Sequence, residues 1–196
     1  MRCVKALALS AGAVIAGAAV FVASGVYDIS ATSPHWPVTR FVLELTRERS
    51  VETHSAGVEL PDLKDPKLPE AGALLFRETC RLCHGAPGHP REKFAEGLYP
   101  NPPDPTSAEF QENSDAELYW IMGHGLKMTG MPAFSPAYAP KQLEGVLVLL
   151  RRLPKLSPQE FDVLAAPAAG EGLGGSPGVP SGSGSGSEPI TPAEGK

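Results

Sequence analysis

Six consecutive residues, Cys80-Arg81-Leu82-Cys83-His84-Gly85, bring together two thiols, an imidazole and a glycine. Thiols three residues apart project from nearly the same side of one helical turn. So placed, they can add to the two vinyl groups on adjacent pyrrole rings of a single haem. The residue after the second thiol, His84, is then carried under the iron and offers its imidazole as proximal ligand. Gly85 lets the backbone turn away without a side chain striking the porphyrin. C-x-x-C-H at this spacing is the signature of covalent c-type haem attachment. Three rival readings fit less well. A thioredoxin-like redox pair needs a strand ahead of it and a βαβ context, and a helical pattern precedes this one. A zinc site needs two further ligands at suitable spacing. The only other cysteine, Cys3, lies beyond a long apolar run. A structural disulfide across two intervening residues is uncommon outside redox motifs.

A haem iron with one proximal histidine has one axial position left. The candidates are Met122, Met128, Met131, His35, His54, His89 and His124. His89 follows the attachment site by five residues, too close to reach the far face. His35 and His54 belong to the segment before the motif. Ser114 and Glu117 read as a capping box that opens a helix. On that helix Leu118, Ile121 and Met122 share a face, which makes Met122 a core residue. Gly123 and Gly125 are expected to end it, with His124 between them as an exposed or capping histidine. The loop that follows bears Met128 and Met131. Gly130 and Pro132, on either side of Met131, would hold a loop conformation that aims its thioether.

The elements that must position these residues are short and helical. Pro69-Glu-Ala-Gly-Ala-Leu-Leu-Phe76 leads into the motif as an amphipathic helix, with Pro69 and Glu70 suited to its first turn. Ala71, Leu75, Thr79 and Leu82 form its expected stripe, with Leu74 and Phe76 beside it. Thr106 with Glu109, and Ser157 with Glu160 behind Pro158, read as further capping boxes. Leu143, Val146, Leu147, Leu150 and Leu153 mark the apolar face of a C-terminal helix.

With these residues in place, the chain resembles a membrane-anchored bacterial monohaem class I c-type cytochrome over residues 68–153. The resemblance implies an all-α fold, short helices around one covalently bound haem c. It implies Cys80 and Cys83 as the thioether positions, His84 as proximal iron ligand, and Met131, in its Gly-Met-Pro segment, as distal ligand. Gly72 and Phe76 stand where that family places a glycine and an aromatic in its first helix, the glycine permitting close crossing by the C-terminal helix. That helix lacks the aromatic many relatives carry, and Gly145 is the residue that would allow the approach. A loop proline carbonyl, from Pro102 or Pro103, would accept the Nδ1–H of His84. A ring of lysines commonly steers such carriers to acidic partners. Here Arg77, Arg81, Arg91, Lys93 and Lys127 lie near the motifs, but residues 71–166 hold nine basic and eleven acidic side chains, so no basic face is implied.

The ends carry other instructions. Arg2 and Lys5 precede 21 uncharged residues, Ala6 to Val26, long enough to cross a bilayer core of about 30 Å. This segment is read as a single-pass anchor, with a cleaved signal peptide as the alternative. Either way Asp28 onward is exported, which places the haem domain on the periplasmic side of the inner membrane. Tyr27 and Trp36 sit where an aromatic interface belt would lie. The expected division is 1–27 anchor, 28–67 connector, 68–166 haem domain and 167–196 flexible tail. In the connector Val38, Phe41, Val42 and Leu45 recur at helical spacing. They mark a short amphipathic helix that lies on the membrane, docks on the domain or touches a partner. The tail has nineteen Gly, Pro or Ser among its thirty residues and cannot bury enough apolar surface to offset its ordering entropy.

Composition limits the function. A net charge of −5 argues against a nucleic-acid binder, and three cysteines exclude a dense disulfide framework. Gly and Pro together make 42 of 196 residues, too many for one regular bundle. Methionine opposite histidine stabilises ferrous iron and raises the potential, and two strong axial ligands leave no place for oxygen. The expected role is therefore electron transfer between redox-protein partners, without catalysis of its own. The alternatives are a cytochrome subunit of a larger dehydrogenase or oxidase, and a gas- or peroxide-binding haem protein with an open sixth site.

Overall fold

A computed structural model describes residues 1–60 and 62–166; the expected flexible tail, 167–196, lies outside them. Among the described residues eight α-helices follow in order: α1 (Arg2–Ser24), α2 (Pro37–Ser55), α3 (Leu68–Leu75), α4 (Arg81–His84), α5 (Ala108–Gln111), α6 (Asp115–His124), α7 (Pro140–Arg152) and α8 (Pro158–Leu164). A π turn over Phe76–Cys80 joins α3 to α4, and 3₁₀ turns lie at Lys93–Gly97 and Leu153–Lys155. No strand occurs among the described residues. The all-α class expected from the sequence is what is observed.

The centre is the crossing of α3 and α7. Gly72 and Gly145 meet backbone to backbone. A Cβ on Gly72 would stand 2.0 Å from the Gly145 carbonyl carbon, and one on Gly145 would stand 2.4 Å from the Leu68 carbonyl oxygen. Around this point α7 buries Leu143, Val146, Leu147, Leu149 and Leu150, and Leu153 follows in the turn beyond. From α3 and its continuation come Ala73, Leu75 and Phe76. The aromatic that α7 lacks arrives from α8. Phe161, fully buried, stands edge-on to Phe76 with centroids 6.2 Å apart and planes at 82°. Ser157 and Glu160 form the expected capping box that starts α8, with Pro158 in its first turn.

The stripe expected from Ala71, Leu75, Thr79 and Leu82 is not the buried one. Ala71 is exposed, whereas Gly72, Ala73, Leu75 and Phe76 are buried. Gly72 must face α7, which turns Ala71 to the side. The π turn then breaks the 3.6-residue register beyond Phe76, so a stripe cannot run straight on to Leu82. Thr106 does not cap α5 either. Asp104 Oδ1 accepts from both the Thr106 amide and its hydroxyl, at 2.8 Å each. This leaves Ser107 as the cap, accepting from Phe110 N–H at 3.2 Å.

α6 joins the core through Leu118 and Met122. Its start is held by the predicted Ser114–Glu117 capping box. Arg151 of α7 ties the α5–α6 corner, donating to Asp115 Oδ1 at 2.7 Å and to the carbonyl oxygens of Gln111 (3.0 Å) and Asn113. α2 is longer than the short helix expected. It lies against α6, where the His54 and Trp120 rings meet at a tilt of 31° with centroids 5.6 Å apart and Val51 is buried. α1 is apolar, long enough to cross a membrane and exposed along its whole length.

Gly72→Ala or Gly145→Ala should cost about 3 kcal/mol, at the upper end of overpacking penalties, because backbone rather than a movable side chain blocks the methyl. Gly57→Ala, whose methyl would meet nothing within 4 Å, should stay within about 0.5 kcal/mol. Guanidinium unfolding of the haem-loaded protein, followed by circular dichroism, measures both.

Candidate haem site

The π turn and α4 carry the sulfur and nitrogen donors. Cys80 ends the π turn, while Cys83 and His84 sit on the single turn of α4. Both thiols are unpaired and half-buried. Burial pushes the Cys80 thiol up to about 11, against a contact from the Thr79 hydroxyl at 3.5 Å, so it is a protonated S–H at neutral pH. Gly85 stops the helix at φ 75° and ψ 177°, a conformation in the left-handed half of the map that a side chain would strain. Beyond it Ala86 and His89 exchange two backbone hydrogen bonds of 2.8 Å, turning the chain away from His84.

His84 is oriented by one bond. Its Nδ1–H donates to the Pro103 carbonyl oxygen at 2.8 Å. A carbonyl can only accept, so the proton must be on Nδ1 and the Nε2 lone pair is free for a metal. Burial lowers the imidazole below its ordinary value, with the Pro103 bond opposing and nearby Arg91 adding to the shift. The neutral ring is thus favoured. Of the two prolines left open by the sequence, Pro103 is the one that supplies the carbonyl.

The methionine loop is built from the end of α6. Gly125 caps it at φ 66°. A Cβ there would lie 2.6 Å from the Ala133 nitrogen and 2.8 Å from the Met131 carbonyl oxygen. Gly123, also expected to end the helix, remains inside it. Its carbonyl accepts from Ser135 N–H at 3.2 Å and Ser135 Oγ at 2.8 Å, while Met122 O accepts from Phe134 N–H at 3.0 Å. The returning chain thereby satisfies carbonyls that the helix end leaves open. Thr129 closes the loop: its hydroxyl donates to Leu126 O at 2.7 Å and accepts from Met131 N–H at 3.0 Å. Leu126 N–H donates to Met131 O at 3.1 Å. Gly130 packs on Leu98, where a Cβ would come within 2.8 Å of a methyl.

This closure separates the methionines. Met131 is half-buried and packs against the core, as Cys80, Ala86, Tyr119 and Phe134 also do. Met128 is 80% exposed, and Met122 is buried in the core. The remaining histidines have other partners. His35 meets the Tyr27 hydroxyl at 2.8 Å, and His54 bonds the Ser50 carbonyl at 2.7 Å. His89 pairs with Asp162 at 2.6 Å, and His124 bonds the Trp120 carbonyl at 2.9 Å. Thr129, Phe134 and Ser135 are the positioning residues that sequence reasoning missed. Only the threonine two residues before Met131 offered a signal, since its hydroxyl favours such local turns.

Two cysteine side chains three residues apart, a neutral imidazole with its Nε2 free and a half-buried thioether form a donor set suited to haem iron and its vinyl groups. Residues 67–149 match the family described as cytochrome C oxidase, cbb3-type, subunit III. This part of the chain is a c-type cytochrome domain. Its cofactor is covalently bound haem c, and its chemistry is haem-based electron transfer. No curated protein matches the chain. Among the described residues the regular elements of this domain are all helices, in keeping with a cytochrome c fold.

Gly125→Ala should destabilise the cytochrome domain by about 1–3 kcal/mol, since it forces both a left-handed φ and a clash with the methionine segment. Gly123→Ala, whose methyl faces open space within a helix, should raise stability by about 0.5–1 kcal/mol. Denaturant midpoints of the two variants give the comparison.

Proposed function

We propose that the chain is a membrane-tethered electron carrier, facing the periplasm from the inner membrane, with one haem c ligated by His84 and Met131. Cys80 and Cys83 would hold the haem, each S–H adding across one vinyl group to form a thioether. Haem c supplies an iron that gains and loses a single electron. The observation that carries the reading is the bond from His84 Nδ1 to Pro103 O. It leaves Nε2 unprotonated and stiffens the ring, the arrangement expected of a metal-bound histidine. Met131 is supported as the second ligand by its half-buried place against the core and by the exposure of Met128. With His84 and Met131 both holding the iron, there would be no place for oxygen or peroxide, and the protein's task would be to fix the haem and exclude water around it. Reorganisation on electron transfer is then small.

α1 supports the tether, since it is long and apolar enough to span a bilayer and buries no residue against the rest of the chain. The domain beyond it would meet a donor and an acceptor, both redox proteins, on the periplasmic side. The matched family bears the description of an oxidase subunit, which favours one second reading: a cytochrome subunit held in a larger oxidase or dehydrogenase complex.

The ferric protein should show a methionine-to-iron charge-transfer band, and its ferrous form should bind carbon monoxide poorly. Met131→Ala should abolish the band and admit carbon monoxide, while Met128→Ala leaves both unchanged; the reverse result would exchange the ligand assignment. Cys80→Ser with Cys83→Ser should yield protein without covalent haem, read by haem staining after denaturation. Stoichiometric co-purification of oxidase or dehydrogenase subunits from detergent-solubilised membranes would establish the subunit reading over the free carrier.

A further inference from the structure

α2 has two different faces. Thr39, Leu43, Ser50 and Val51 lie toward the cytochrome domain and are partly or fully buried. Val38, Phe41, Val42 and Leu45, at i, i+3, i+4 and i+7, lie on average about 150° around the helix from them, at roughly 100° of turn per residue. They are 74%, 64%, 53% and 43% exposed. The stripe ends there. On the same outward side the second half of the helix shows Arg49, Glu52 and Thr53, all exposed. The apolar surface is therefore confined to the two turns that follow α1 most closely in the chain.

Those turns are held near the end of α1. Phe21, on its last turn, packs against Trp36 at 5.9 Å and Tyr27 at 6.4 Å, and Tyr27 meets Trp36 edge-on at 5.2 Å. Trp36 is the residue on which α2 begins. Tryptophan and tyrosine at the end of a span favour the headgroup level of a bilayer. The connector also grips the cytochrome domain at the other side: the His35 backbone N–H donates to the Tyr99 hydroxyl at 3.2 Å, and the two rings stand 5.1 Å apart. Tyr99 is on the loop that carries Pro103.

We propose that the first two turns of α2 lie in the lipid interface, with Val38, Phe41, Val42 and Leu45 turned into the bilayer surface. The occupant is lipid because the stripe is continuous with the end of the span and stops where the helix leaves it. Glu44 and Glu48 border the stripe, and Arg40 is paired with Glu44 at 2.9 Å, so attachment needs apolar burial and no anionic headgroup. Since the opposite face of α2 packs on α6, such a helix sets the height and tilt of the cytochrome domain above the membrane. The inference rests on reading α1 as a membrane span.

The test uses the full haem-loaded chain with Cys3→Ser, reconstituted in vesicles of phosphatidylcholine alone. Single nitroxides are placed through Val14→Cys, Phe41→Cys, Leu45→Cys, Arg49→Cys and Thr53→Cys, each variant checked for an unchanged haem spectrum. Collision with oxygen is compared with collision with a water-soluble nickel chelate. The oxygen-to-nickel ratio should be severalfold higher at positions 41 and 45 than at 49 and 53. A nickel-accessible 41 and 45 beside an oxygen-accessible 14 would overturn the inference and leave the span standing. Shielding of 41 and 45 from both reagents would overturn it in favour of a protein occupant. A nickel-accessible 14 would overturn the span and the inference together.

Discussion

Backbone contact at Gly72 and Gly145 is the constraint from which the rest of the cytochrome domain follows. Because neither residue has a side chain, α3 and α7 approach until the Cβ of anything larger would overlap main-chain atoms. That closeness brings the leucines of α7 down around Phe76, and Phe161 of α8 closes the far side. The π turn leaves this packed segment directly and delivers Cys80, then Cys83 and His84, to the edge of the core. The donors are rigid because the helix ahead of them cannot slide.

The other half of the site has no long helix to hold it, and hydrogen bonds take over. One carbonyl, on Pro103, orients His84 across nineteen residues of chain. On the opposite side Thr129 and Gly125 shape the loop that presents Met131. The excess of proline and glycine belongs here. Nine prolines fall between His84 and Lys141, in segments where a fixed φ reduces the entropy lost on ordering. A domain this small buries little apolar surface on its own, and covalent haem c supplies a large apolar body about which such loops can order.

α2 links this domain to the anchor without belonging wholly to either. Its inner face completes the packing around Trp120, and its outer face is apolar only beside the end of α1. A helix that packs one side on protein and leaves an apolar stripe exposed on the other is poorly suited to an isolated soluble domain. It is well suited to a body held at a surface, where one side meets protein and the other meets lipid.

The C-x-x-C-H string, the long uncharged run and the capping boxes at Ser114 and Ser157 were legible because each is a local code, read out by residues within one or two turns of one another. The apolar period of α7 was legible for the same reason. What failed in the reading was also local in appearance but not in cause. Ala71 fitted a stripe by spacing, yet the direction of α3 is set by where Gly145 lies, 74 residues on. Thr106 fitted a cap, yet Asp104 competes for it. Gly123 fitted a helix stop, yet Ser135 and Phe134 return to satisfy the open carbonyls. Sequence alone determined which residue types do the chemistry and their spacing along the chain. Tertiary structure decided that Pro103 and not Pro102 holds His84, that Phe161 supplies the missing aromatic, and that Met131 is packed inward while Met128 faces solvent. Each of these depends on chain segments brought together only when α3 and α7 cross, which no local pattern encodes.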